Sequence, residues 1–212
     1  MAKFNSKEVA AIAIFGALAA MVTLTTDLPI FRFPILPFLR FDLAEIIDFL
    51  AFLLLGPIAA LFTILVHFIT ISLLPGAQVP IASQAMKAAA ILSTIFGFTI
   101  IMRFRSLKVA LPFAIISRVL IMSVANYLFF LVFFPYTFQP SLNLIAKTTG
   151  IVVQGFGMQV FVLLSIIGIF NAIHAIITTF IPVFLLRYNP QLIKVASLIK
   201  PVWFIKYLNL TK

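Results

Sequence analysis

Apolar residues run along the chain in six long stretches, each closed by prolines, glycines or basic residues. The pattern predicts membrane spans over about 9–28, 43–55, 58–74, 80–102, 109–134 and 160–186, followed by a basic tail over 187–212. Runs of about twenty apolar residues match the ~30 Å hydrocarbon core of a bilayer. The second stretch, Leu43 to Leu55, is too short to cross alone unless it is tilted or begins within the loop before it. Gly56-Pro57 reads as a tight turn, because proline cannot continue a hydrogen-bond ladder begun upstream. Pro75-Gly76 ends the third stretch, Pro135 follows the fifth, and Pro182 is placed to kink the end of the sixth. Residues 136–150, with Gln139, Asn143 and Lys147, read as a polar connection. The tail sets Lys194, Lys200, Lys206 and Lys212 among apolar residues, with Trp203. It reads either as an interfacial amphipathic segment broken at Pro201 or as a frayed end. The expected fold is one all-α membrane domain over 1–212, six transmembrane helices in a single bundle.

Composition fixes the class. Hydrophobic residues make up 64% of 212 positions and charged residues 9%, against about a quarter charged in a soluble domain. A soluble fold of this size could not hide so much apolar surface, so the chain is a polytopic membrane protein. The formal charge of +10 does not point to nucleic acid, because the basic residues mark the ends of spans. Lys and Arg at 3, 7, 103, 105, 108, 187, 194, 200, 206 and 212 fall on one side, and those at 32, 40 and 147 on the other. The positive-inside rule then puts both termini in the cytoplasm and the loop 25–42 outside, as in a multi-pass protein of the plasma membrane. A cleavable signal peptide is not expected. No cysteine is present, so neither a disulfide nor a thiolate site exists. No internal repeat is visible.

Polar residues are scarce enough to read one by one. Four of the five acidic residues, Asp27, Asp42, Glu45 and Asp48, lie between 27 and 48. Within the spans lie His67, Gln84, Lys87, Arg118, Asn126, Asn171 and His174. Ionisable groups in hydrocarbon are costly and count as functional candidates by default. Arg118 needs an anion, and Asp48 or Glu45 is the expected partner in a structural ion pair. The amides of Asn126 and Asn171 each offer two donors and an acceptor. Such groups suit the edge of a heterocycle, or simply tie two helices together for roughly 0.6–2 kcal/mol. Asn171 and His174, three apart, share a helix face. His67, alone in its span, reads as a hydrogen-bonded core histidine. On the first span Ala13/Ala17 and Gly16/Ala20 form adjacent rows of small residues, suited to close packing inside the bundle or against a partner helix. No His-Glu-x-x-His, Gly-x-Ser-x-Gly or Gly-x-x-x-x-Gly-Lys-Ser/Thr motif occurs, so neither an enzyme nor a self-powered pump is expected. No metal site is expected either.

Four stretches taken in order resemble the substrate-binding S component of energy-coupling factor (ECF) vitamin transporters, and among these the riboflavin-specific group. They are Ala13-Ile14-Phe15-Gly16-Ala17, Pro37-Phe38-Leu39-Arg40-Phe41-Asp42-Leu43-Ala44-Glu45-Ile46 ahead of Gly56-Pro57, Arg118 to Tyr127, and Ile169-Phe170-Asn171-Ala172-Ile173-His174. The resemblance implies a six-helix module with one vitamin site facing outward and gated by the loop before the second helix. It implies an importer driven by a transmembrane coupling subunit and two cytoplasmic ATPase subunits. Carried over by position, Asn126, Asn171 and His174 line the site, Pro37, Phe38, Leu39, Phe41 and Asp42 cover it, and Lys87 faces it from the fourth span. Ala13, Gly16, Ala17 and Ala20 form the coupling face. Two positions depart from the pattern: His174 stands where the family's sixth helix carries Lys, and Lys87 where the riboflavin group shows Asn. Riboflavin, as transported ligand rather than cofactor, is the expected cargo. The alternatives are thiamine or a similar vitamin and, from another class, a structural or assembly protein without a small ligand.

Overall fold

In a computed structural model, residues 4–26, 28–73, 81–102, 107–199 and 204 are described. The expected features at Lys3, Asp27, Pro75-Gly76, Pro80, Arg103, Arg105, Lys200, Pro201, Trp203, Lys206 and Lys212 lie outside the described residues. The described elements are helical: α1 (Ser6–Thr25), α2 (Ala44–Leu55), α3 (Pro57–Leu73), α4 (Ile81–Met102), α5 (Leu107–Leu128), α6 (Phe138–Thr149), α7 (Phe156–Tyr188) and α8 (Pro190–Ser197). A wide π turn over Phe129–Phe133 extends α5. Four helices are long and apolar enough to cross a membrane: α1, α4, α5 with its π extension, and α7. The 17-residue α3 is shorter, and the 12 residues of α2 span only ~18 Å.

Local chemistry explains the boundaries. Asn5 caps α1 by accepting from the Glu8 N–H, while the Glu8 carboxylate accepts from the Asn5 N–H, a reciprocal capping box. That starts the helix at Ser6, and it stops at Thr25 rather than running on toward Leu28. Gly56 ends α2 with φ 89°, a conformation that side chains resist, and Pro57 opens α3 where its missing N–H costs nothing. Pro182 lies inside α7, which continues to Tyr188.

Residues 136–150 are not the polar connection that the sequence suggests, because most of them form α6. Phe138, Leu142 and Ile145 recur at helical spacing and are buried, Lys147 sits in the last turn, and Gly150 closes the helix in the left-handed conformation. Likewise α7 begins at Phe156, earlier than the expected start at 160. The first part of the tail is a helix, α8, resting on the bundle through Ala196 and half-buried Leu192 and Ile193.

The second helix is the hub. Nine of its 12 residues are buried, and it touches α1, α3, α4, α7 and α8. Two apolar cores result. One surrounds α2, with Phe49 and Phe52 packed edge-on against Phe98 of α4. The other joins the loop 28–43 to α6 and to the starts of α7 and the π turn, through Phe33, Leu36, Phe130, Phe138 and Phe170. Between α4 and α5 the fit is close: a Cβ on Gly97 would sit 2.4 Å from Ser117 Cβ. Gly97→Ala is therefore expected to cost about 1–3 kcal/mol, seen as a lower unfolding temperature in detergent. An unchanged midpoint would contradict that packing.

Candidate functional site

The polar side chains gather at the junction of the two cores. On α7 the upper core uses Leu163, Ile167 and Phe170 and the lower core Val183 and Leu186, leaving Asn171, His174 and Thr178 buried in between. On α5 Arg118 occupies the same level and is 1% exposed. A charge at that depth has to be paired. Its guanidinium forms a two-pronged bond to Glu45 of α2, with NH1 donating to Oε2 and NH2 to Oε1. Its Nε–H donates to Asn171 Oδ1 at 3.1 Å. Of the two carboxylates that the sequence offered Arg118, the structure selects Glu45.

His174 is held between an obligate donor and an obligate acceptor. Arg118 NH2 lies 3.1 Å from its Nδ1, and the Asp42 carbonyl lies 3.2 Å from its Nε2. Nδ1 must therefore accept and Nε2–H must donate, which defines one neutral tautomer. Asp42, at the end of the loop 28–43, is the second node. Its carboxylate accepts from Lys87 Nζ of α4 at 2.7 Å, from the hydroxyls of Thr23 and Thr26 at the end of α1, and from the Ala44 N–H. Burial alone would push this carboxyl up, but the Lys87 ammonium and the Ala44 N–H beside it hold it below its ordinary value.

Asp48, one turn further along α2, takes the third cation-capable partner: His67 Nδ1 lies 2.9 Å from Asp48 Oδ2, and its Nε2 lies 2.9 Å from Thr23 Oγ1. Asp42, Glu45 and Asp48 thus form a ladder, spaced by three, that answers α4, α5 and α3 in turn. Asp48 Oδ1 and Gln84 Nε2 are buried with no partner among the described residues. They belong to residues lining a small cavity between α2, α3 and α4, which Asp42, Glu45, His67 and Lys87 also line. Its free space, about 20 Å³ for the centre of a water-sized sphere, is on the scale of one water.

The loop 28–43 lies over this network as an aromatic cover. Phe41 packs on Phe170 (4.9 Å between ring centres) and on His174 (5.6 Å), Phe33 packs on Phe170 (5.5 Å), and Phe38 reaches Phe130. An isolated antiparallel bridge between Arg32 and Arg40 closes the base of the loop.

Of the residues expected to line a site, Asp42, Lys87, Asn171 and His174 are joined through one hydrogen-bonded network, and Phe41 lies on it. His174 and Lys87, the two departures from the family pattern, both end on Asp42. Pro37 and Leu39 are half-buried and Phe38 is largely exposed. Asn126 is buried on the same face of α5 as Arg118, two turns on, and its amide donates to the Met122 carbonyl of its own helix rather than into the network. The expected coupling face splits in two. Ala13 and Ala17 are exposed, whereas Gly16 and Ala20 are buried within the chain. A Cβ on Gly16 would lie 2.6 Å from Val66 Cγ1 of α3, so that row packs internally and is not open to a partner. Thr23, Thr26 and Thr178 are members that sequence reasoning missed; a threonine in an apolar helix ordinarily bonds back to its own backbone and gives no sign of a distant partner.

No protein-family model matches the sequence, and no curated protein sequence matches it. The fold is similar to a solved structure, that of the S component of a bacterial ECF transporter, with TM-score 0.67 and 23% identity over 89% of this chain and 98% of that one. A likeness at this identity shows the fold: the chain folds as an S component does.

Proposed function

We propose that the protein is the substrate-binding membrane subunit of an ATP-driven vitamin importer, with riboflavin as its cargo. It takes the vitamin from outside and delivers it inward together with a transmembrane coupling subunit and two cytoplasmic ATPase subunits, in the plasma membrane. The observation that carries this reading is the shared fold, which runs through nearly the whole of both chains. The placement of Lys and Arg supports six passes with both termini in the cytoplasm, α2 completing its pass with the loop before it. The site chemistry supports a flavin. An apolar tricycle suits the aromatic cluster of Phe33, Phe41 and Phe170, and a mixed donor–acceptor edge suits the amide of Asn171 beside His174.

Capture requires movement of the loop 28–43. Phe33 and Phe41 themselves pack on Phe170, and the small cavity at Asp48 and Gln84 admits no ring. The loop lifts, the ring replaces its phenylalanines against α7, and the loop reseats through Asp42. Reorientation driven by the coupling subunit then needs only a difference in ligand affinity between the two orientations.

Titration of riboflavin with the detergent-purified, flavin-free chain tests the reading. Saturable quenching of flavin fluorescence is expected, and Asn171→Ala should weaken it about 5–100-fold, because a cargo edge loses its buried partner. A parent that never quenches riboflavin sinks the flavin assignment, and one that instead gives a thiamine binding isotherm moves the cargo to the alternative vitamin.

A further inference from the structure

The network beneath the loop leaves two atoms unused. Asp48 Oδ1, an acceptor, and Gln84 Nε2, a donor, are buried with no partner among the described residues, on residues 1% and 4% exposed. Each such atom is costly to bury unpaired, a penalty that a bound guest can remove. Both residues line the cavity between α2, α3 and α4, which Asp42 and Glu45 also line, and Asp42 ends the loop whose Phe33 and Phe41 pack on Phe170.

The geometry points to a polar subsite for the cargo: the α2–α3–α4 cavity receives a neutral group that donates and accepts at once, a hydroxyl on a flexible side chain of the transported vitamin. The inference rests on the flavin-carrier reading above and deepens it. The donor set decides the chemical class. A metal cation is disfavoured because Gln84 presents an N–H and the Lys87 ammonium closes the same space. No group of three His, Cys, Asp or Glu among the described residues could hold one. An anion is disfavoured by Asp42, Glu45 and Asp48 together. A hydroxyl offers what each orphan lacks: an O–H for Asp48 Oδ1, and an oxygen for Gln84 Nε2–H.

Size points the same way. Free space of about 20 Å³ suits one hydroxyl, or a water in its place, and not a ring. The ring system then lies against Phe170 of α7 while the polyol chain reaches past Asp42. Lys87 has a side chain 21% exposed, and its single carboxylate bond can be released by rotation of its flexible stem. It is the wall that gives way when the chain enters.

The test compares riboflavin with lumiflavin, which keeps the tricycle and replaces the ribityl chain by a methyl group. Both are titrated by fluorescence quenching against the parent, Gln84→Met and Asp48→Asn. The parent is expected to bind riboflavin at least about tenfold more tightly than lumiflavin. In Gln84→Met that advantage should shrink by about tenfold while lumiflavin affinity holds, which also shows that the variant is folded. Asp48→Asn should act in the same direction. Equal affinities of the parent for the two flavins overturn the subsite without recourse to any variant. So does a Gln84→Met protein that leaves the ratio unchanged, and both results leave the flavin reading standing. A parent that binds neither flavin overturns both.

Discussion

Glu45→Gln should be the most damaging single substitution in the bundle, costing about 3–5 kcal/mol. The Arg118 guanidinium would remain buried after losing the carboxylate that takes both of its terminal nitrogens, and removal of one partner from a buried pair typically costs that much. The loss would show as a fall in the unfolding midpoint in detergent of roughly 6–20 °C, at about 2–4 °C per kcal/mol. A second comparison separates pairing from packing. In Glu45→Gln combined with Arg118→Met no uncompensated charge remains, so much of the lost stability should return, as apolar replacement of buried ion pairs often allows. If the double variant is no more stable than Glu45→Gln alone, the cost lay in Asn171, His174 and Thr178, which would lose their partners as well.

The same network shows how far the sequence could be read. Scarcity made the Arg118 pairing legible: a chain with five carboxylates leaves a buried arginine few choices, and the remaining choice between Glu45 and Asp48 depends on how α2 is rotated against α5. His67 was legible as a hydrogen-bonded core residue, while its partner was not. Asp48 lies 19 residues away on the neighbouring helix, and only packing brings the two to 2.9 Å. The spans of α1, α4, α5 and α7 followed from length and hydropathy, which bilayer thickness sets directly. Helix α6 escaped because Gln139, Asn143 and Lys147 after Pro135 read as a polar connection. Yet Pro140 falls in the first turn, where no intrahelical N–H is needed, and the Phe138, Leu142 and Ile145 face then folds normally. The cavity at Asp48 and Gln84 could not be foreseen, since it depends on what three helices fail to fill.

Uptake should vanish, by roughly tenfold or more, when Ala13 and Ala17 are both replaced by Trp, while riboflavin binding and thermal stability stay at the parental level. The argument turns on which row of small residues faces outward. Association of helices in lipid is driven by close packing, and a row of small side chains is what lets a second backbone approach. Gly16 and Ala20 spend that property inside the chain, against α3. Ala13 and Ala17 do not: both are exposed on a face where Ile14, Leu18 and Met21 are exposed too. Two indoles there would meet lipid in the isolated subunit and cost the fold little, yet they would hold a coupling helix several ångströms away. Neither alanine touches the polar network at Asp42, Arg118 and His174, so capture of the vitamin has no reason to change. Transport assays on cells beside quenching titrations on the purified variant separate the two effects. Sustained uptake would move the docking surface elsewhere on the bundle, and a joint loss of uptake and binding would mean that the outward row of α1 supports the site itself.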